Sequence, residues 1–280
     1  ISIQRKCYSN AWSKIMNTVN SEYQKANRLS FISGLLVLFF LGSEMAFADL
    51  RIDVTQGRAD PMPIALNDFV GVDDNYNQVG SDISLVIAQN LERSGLFAPI
   101  NKEAFIKKAV PLDRRPEFSN WKVLNAQAMV HGRVNIEADG RLNIQFRLWD
   151  TFAEQQMVGN SYFTTPKNWR RVAHIISDLI YKRITGEDGY FDTRIVYISE
   201  SGSKDRRRKR LAIMDQDGAN HRFLTDGSDL VLTPRFSPTM QEITYLGYYN
   251  KKPRVYIFNI DTGQQEVPVS YTHLTLPTKA

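Results

Sequence analysis

Two stretches of the chain carry hydrophobic residues at helical spacing. Ile83, Val86, Ile87 and Leu91 fall on one helix face behind Ser81-Asp82, an N-cap pair, and Gly95 supplies a left-handed stop. A second helix begins near Asn168, behind Pro166. It carries Val172, Ile175, Ile176, Leu179, Ile180 and Ile184 on one face, and Gly186 ends it. Between them the period changes to two. Val130, Val134 and Ile136 lead into Asp139-Gly140, after which Leu142, Ile144, Phe146 and Leu148 alternate with Arg141, Asn143, Gln145 and Arg147. An Asp-Gly pair between alternating runs predicts a β-hairpin with one buried and one wet face. Helices packed on one side of such a sheet make an α+β domain, placed at residues 49–188.

From Asp192 onward the texture is short strands and turns, and it repeats. Arg194-Ile195-Val196-Tyr197-Ile198-Ser199 corresponds to Glu242-Ile243-Thr244-Tyr245-Leu246-Gly247. Arg210-Leu211-Ala212-Ile213-Met214-Asp215 corresponds to Arg254-Val255-Tyr256-Ile257-Phe258-Asn259. A spacing of roughly 40–50 residues between strand-rich units is the period of a β-propeller blade. Residues 192–268 hold one and a half to two blades of an all-β propeller. From Ser270 the sequence SYTHLTLPTKA does not continue the repeat, and 270–280 reads as a non-native tail resembling translated adapter sequence.

The first 48 residues read as a leader. Phe31 to Leu41 is apolar and uncharged, Lys25 and Arg28 precede it, and Ala46-Phe47-Ala48 follows. A basic region, a short apolar stretch and an A-x-A site predict a secretory signal peptide cleaved after Ala48, with Met16 as the start. The apolar stretch is shorter than the roughly 20 residues that an uncleaved membrane anchor needs.

Charge changes the picture little. The chain is formally +5, but residues 49–280 carry 30 basic against 28 acidic side chains. Six of the basic ones sit in Lys204-Asp205-Arg206-Arg207-Arg208-Lys209-Arg210, which reads as a solvated hairpin loop because no stacking aromatic is interleaved. Composition therefore excludes a nucleic-acid-coating protein. The single cysteine, Cys7, excludes a disulfide framework and a Cys-based zinc site. No nucleophile elbow, P-loop, dinucleotide fingerprint or H-E-x-x-H motif is present, so catalytic residues, metal and cofactor are all expected to be absent. His131, His174, His221 and His273 lack ligand spacing and read as structural or solvent-facing. Asp73-Asp74-Asn75-Tyr76-Asn77 and Asp215-Gln216-Asp217-Gly218 lack the oxygen set of a calcium loop and read as turn chemistry.

Particular stretches carry a resemblance. These are Asp49-Leu50-Arg51-Ile52-Asp53-Val54-Thr55, Pro61-Met62-Pro63-Ile64-Ala65, Leu211 to Asn220, and Thr233-Pro234-Arg235-Phe236-Ser237-Pro238. Over 49–268 the chain resembles the TolB family, the periplasmic component of the Tol-Pal system of Gram-negative bacteria. It departs in having Thr239-Met240 where the family commonly has Asp-Gly, which bears on the tightness of that turn. The resemblance implies a six-bladed propeller in the full-length family, residence in the periplasm, and protein docking in place of chemistry. The mature N-terminal strand, Asp49, Leu50, Arg51, Ile52, Asp53, Val54, Thr55 and Gln56, would bind TolA, and the propeller would receive the lipoprotein Pal. Other outer-membrane lipoproteins or OmpA-like proteins are further implied partners. The implied roles are outer-membrane invagination and integrity during cell division, and colicin import. The residues themselves leave two readings of that strand open. Leu50, Ile52 and Val54 alternate with polar residues, which fits addition to a partner's sheet edge and equally completion of this domain's own sheet. The alternative function is the N-terminal part of an exported prolyl-oligopeptidase-like serine hydrolase, whose blades precede a catalytic domain.

Overall fold

The computed structural model describes Leu50 and residues 60–106, 111–204, 206–250 and 252–267. The signal cleavage residues Ala46 and Ala48, and the tail 270–280, lie outside the described residues. β1 (Met62–Leu66) is followed by the short β2 (Val70–Gly71) and by α1 (Asp74–Arg93). This helix starts at Asp74, two turns before the expected Ser81-Asp82 pair. Asp73 is its N-cap, accepting the Tyr76 N–H through Oδ1 at 3.1 Å, and the Asn77 Oδ1 accepts the Gly71 N–H. The Asp73–Asn77 run, expected to be a turn, is therefore a cap and a first helical turn. Its solvent-facing side chains gave no apolar period to reveal it.

Gly80 lets α1 lie against the chain before it. A Cβ there would fall 1.9 Å from the Phe69 carbonyl oxygen, a backbone atom that cannot swing aside. Gly80→Ala is expected to destabilise the domain by about 1–3 kcal/mol. Chemical denaturation should show a lowered midpoint with an unchanged slope.

β3 (Phe97–Pro99), a 3-10 turn at Lys102–Ala104 and the short α2 (Phe118–Lys122) lead into the predicted hairpin, β4 (Ala128–Ile136) and β5 (Leu142–Asp150). Its register pairs Ile136 with Leu142. Gly140, at φ 81°, donates its N–H to Glu137 while the Glu137 N–H donates to Arg141, so the left-handed residue closes a three-residue loop. β6 (Gln155–Thr164) completes a sheet ordered β3-β1-β4-β5-β6, with β1 parallel to both neighbours and β2 beside β4. α3 (Trp169–Thr185) follows a 3-10 turn at Pro166–Asn168. Gly186, left-handed at φ 83°, caps it by donating to the Lys182 carbonyl.

The main core lies between α1, α3 and one sheet face. Ile64, Val130, Val134, Ile144, Phe146 and Leu148 meet Ile83, Ile87, Leu91, Val172, Ile176 and Ile180 there, and Phe191 packs into the same cluster. The other face is not wholly wet, as the alternation predicted. Ala65, Met129 and Trp149 on that face form a second cluster with Phe105, Phe118 and Trp121, in which α2 provides the cover. Within this face His131 is fully buried and accepts the Trp149 indole N–H at 2.9 Å. Further along, Arg133 bonds Gln145 and Asp113, so polar and apolar halves share one face.

The strand-rich part begins with a three-stranded antiparallel sheet, β7 (Arg194–Ser201), β8 (Arg208–Asp215) and β9 (Arg222–Phe223). A four-stranded antiparallel sheet follows, β10 (Leu230–Phe236), β11 (Glu242–Tyr249), β12 (Lys252–Asn259) and β13 (Gln265–Glu266). The hairpins β7–β8 and β11–β12 are the two copies of the repeat. Leu211, Ile213, Val231, Ile243, Tyr245 and Phe258 are buried together in the cluster that spans the two sheets. The turn at Thr239-Met240 closes without Asp-Gly. Ser237 Oγ accepts the Met240 N–H, and the Ser237 N–H donates to Glu242. The basic run is not entirely a loop. Arg208 to Arg210 open β8, and the Arg210 guanidinium lies 3.5 Å from the centroid of the Phe223 ring. A strand position beside an aromatic face buries the stem of a long cation while leaving its head polar.

Candidate functional site

Of the predicted docking residues, Leu50 alone is described. It is partly buried and packs against the main α+β core. Asp49 and residues 51–56 lie outside the described residues.

The densest polar site joins the α+β domain to the first blade. Asp215-Gln216-Asp217-Gly218 is a turn, as expected. Gly218 takes φ 86° and donates to the Asp215 carbonyl, and the Asp217 Oδ1 accepts the Ala219 N–H. The turn also docks on two helices. Arg170, in the first turn of α3, places Nη2 at 2.6 Å and Nε at 3.0 Å from Asp217 Oδ2, and the aspartate side chain is only 7% exposed. Gln216 donates through Nε2 to Asn90 Oδ1 on α1 at 3.0 Å. The same Asn90 oxygen receives Arg93 Nη2 at 2.8 Å. Its amide nitrogen lies 2.9 Å from His174 Nδ1 and 3.0 Å from Ser177 Oγ, both on α3. Burial would raise the Asp217 pKa, but the Ala219 N–H and the Arg170 guanidinium outweigh it, and the carboxyl titrates below its ordinary value. Burial dominates at His174 and lowers its pKa below the ordinary imidazole value, against the pull of Asp217 and Asp215.

His174, Asp215 and Asp217 offer three potential metal-ligand atoms within 4.8 Å of one another. Their hydrogen bonds do not suit a cation. Two donors fix the Asn90 oxygen, so its NH2 faces His174 Nδ1 and that nitrogen must be an acceptor. The proton of the neutral ring is then on Nε2, the atom a metal would need. A metal-bound histidine ordinarily donates through its other nitrogen, and here that nitrogen faces a donor. Arg170 already neutralises Asp217. The arrangement supports domain docking. A cleft of about 260 Å³ opens beside it, lined by Lys167, Arg171, His174, Asp192, Arg194 and Arg222, among others.

A second polar contact brings Lys102 Nζ to Asp68 at 2.5 Å and to Ser84 Oγ at 2.7 Å. Ser84 is fully buried and also bonds the Ser81 carbonyl, so this trio ties the middle of α1 to the loops around it. Sequence reasoning found the elements of the junction and missed their convergence. Asn90, His174 and Asp217 share no spacing that marks them. The available signal was a polar residue, Asn90, set between Ile87 and Leu91 on an apolar helix face.

Residues 50–157 match the family model of the TolB amino-terminal domain, and 181–277 match that of the TolB beta propeller domain. The Tol-Pal system protein TolB of Paramagnetospirillum magneticum is 54% identical over 243 residues, which is 86% of this chain and 54% of that protein. The crystal structure of TolB from Acinetobacter baumannii is similar with a TM-score of 0.63 at 25% identity, covering 78% of this chain and 52% of the other. The chain spans about half the length of the curated relative it matches.

Proposed function

The chain belongs to the TolB family, and we propose that it is the exported, non-catalytic TolB component of a Tol-Pal system. In this reading the mature N-terminal segment 49–56 docks TolA by strand addition, and the propeller receives Pal, other lipoproteins or OmpA-like proteins. The bridge so formed lets the outer membrane follow the dividing cell, and colicins exploit it for import. The leader sequence read within residues 1–48, together with the family, supports residence in the periplasm. Among the described residues, no helix is long and apolar enough to cross a membrane.

The observation that carries the reading is Leu50, partly buried against the α+β core at the start of an alternating segment. Leu50 is the one described residue of that segment, and a partly covered apolar contact of this kind can be given up to a partner at modest cost. The segment's main-chain N–H and C=O groups then supply the strand contacts. Release lowers the apparent affinity by the fraction of molecules in which the segment is free. Ile52→Asp in the full-length protein tests this. An aspartate on the apolar face must be desolvated without a partner, costing about 1–3 kcal/mol, so titration with the TolA C-terminal domain should show roughly tenfold weaker binding or more. Unchanged affinity would place the TolA surface elsewhere.

A further inference from the structure

We propose that His174 is a proton-sensitive latch between the α+β domain and the first blade, holding the Asp215–Gly218 turn in place when neutral and releasing it when protonated. The inference concerns the junction and stands whether or not TolA docks at 49–56.

The geometry ties the protonation state of one ring to a contact between domains. His174 is 2% exposed and sits on α3. Its Nδ1 accepts from Asn90 of α1, whose oxygen simultaneously accepts from Gln216 of the blade turn and from Arg93. The Asn90 side chain thus has one workable orientation, and it requires a lone pair on Nδ1. The ring proton then points from Nε2 toward Asp217 Oδ2, 3.6 Å away, and this nitrogen has no hydrogen-bond partner among the described residues. A second proton would set the Nδ1–H against the Asn90 NH2. Rotating the amide relieves that clash only by turning the NH2 toward two other donors, Arg93 and Gln216. Without rotation the ring is pushed off Asn90; with it the Arg93 bond goes and Gln216 must turn over to keep its own, so either way the network that fixes Asn90 under the blade turn is weakened. The imidazolium would also draw on the Asp217 carboxylate that Arg170 now holds.

Other charges face the ring from every packed element. Arg170 and Asp178 lie on α3, Arg93 acts through Asn90 on α1, Asp215 and Asp217 come from the blade turn, and Asp192 from the linker. Lys167, Arg171, Arg194 and Arg222 line the adjoining cleft, from which protons reach the ring. The carboxylates favour the imidazolium, but burial outweighs them and the neutral ring is preferred in the folded state. A folded pKa below the unfolded one means that stability is fully present above about pH 6.5 and declines as pH falls below it. Asp217, held low, loses its contribution only in more acidic solution. Burial raises the Asp178 pKa, so its protonation acts in the opposite direction.

Hydrogen exchange of the full-length protein reads the latch locally, which matters because His131 is also buried, on the opposite face of the sheet. Between pH 7.5 and 5.5, after correction for intrinsic rates, protection of the amides at 215–219 is expected to hold above about pH 6.5 and below it to fall by up to about tenfold per pH unit, the limit for one linked proton. His174→Asn keeps an acceptor for the Asn90 amide but cannot titrate, and its junction should show no such fall. Nitrogen-15 shifts of wild-type imidazole at neutral pH give a readout independent of any variant, and Nδ1 should be unprotonated. Junction protection that does not respond to pH in the wild type, an equal response in His174→Asn, or a protonated Nδ1 at neutral pH would overturn the latch.

Discussion

Deleting residues 49–56 from the full-length protein is expected to abolish binding to the TolA C-terminal domain while leaving the α+β domain folded. The two parts of this expectation have different physical origins. Strand addition draws most of its affinity from main-chain hydrogen bonds, with alternate side chains supplying specificity. A substitution such as Ile52→Asp leaves the backbone donors and acceptors in place, whereas the deletion removes them all. The domain should survive because its core is built elsewhere. Ile64, Val130, Phe146, Ile87 and Ile180 are fully buried or nearly so, and Leu50 only borders their cluster. The Leu50 contact itself accounts for roughly 1 kcal/mol of burial. Calorimetric titration should show no heat of binding, while the thermal midpoint shifts by only a few degrees. Retained affinity in the deletion would move the docking surface away from the N-terminus and leave the fold unaffected.

Much of this fold was legible because its elements carry a strong period and firm stops. The hairpin at Asp139-Gly140, the helix ended by Gly186 and the two repeated hairpins of the blades are all present where alternation or helical spacing placed them. The interior strand β1 was less visible. It is only five residues long, contains Pro63, and is buried on both faces, so it shows no alternation. The early start of α1 was hidden for the converse reason, since Asp74, Asn75 and Asn77 face solvent and left the apolar stripe to begin later. Cover on the second sheet face came from Phe105, Phe118 and Trp121, in a segment with too little regular structure to predict. The junction was the least legible feature. Its polar groups lie on two helices and a blade turn, and a hydrogen-bond network of that kind is set by tertiary placement, not by local pattern. His174 reads from the sequence as structural or solvent-facing, and nothing in its spacing marks the network it joins. Its role depends on Asn90, 84 residues away.

The two parts of the chain are expected to differ sharply when separated. Residues 49–191 should unfold in one cooperative transition as a monomer, and 192–267 should show no such transition. Among the described residues the first part has 23 buried residues in its main cluster, fed by four sheet strands and two long helices, and Phe191 closes it. Asp178 anchors that closure by accepting the N–H groups of Phe191 and Asp192 at 2.7 and 3.0 Å. The blade segment gathers eight buried residues in its cluster, while Ile195, Phe223, Leu230 and Tyr249 remain exposed. A propeller blade buries its faces on neighbouring blades, so stability in such arrays comes largely from interfaces between units and falls steeply as units are removed. Ordering each residue costs roughly 1–2 kcal/mol in backbone entropy, and a cluster this small is a poor match for a segment of that length. Separation also removes the support that Arg170 and Asn90 give to the turn after β8. Near-ultraviolet circular dichroism and denaturant titration of the two fragments decide the matter. A sharp, concentration-independent transition in 192–267 would mean that two sheets close enough core between themselves, and that the junction with the α+β domain serves to orient the blades without stabilising them.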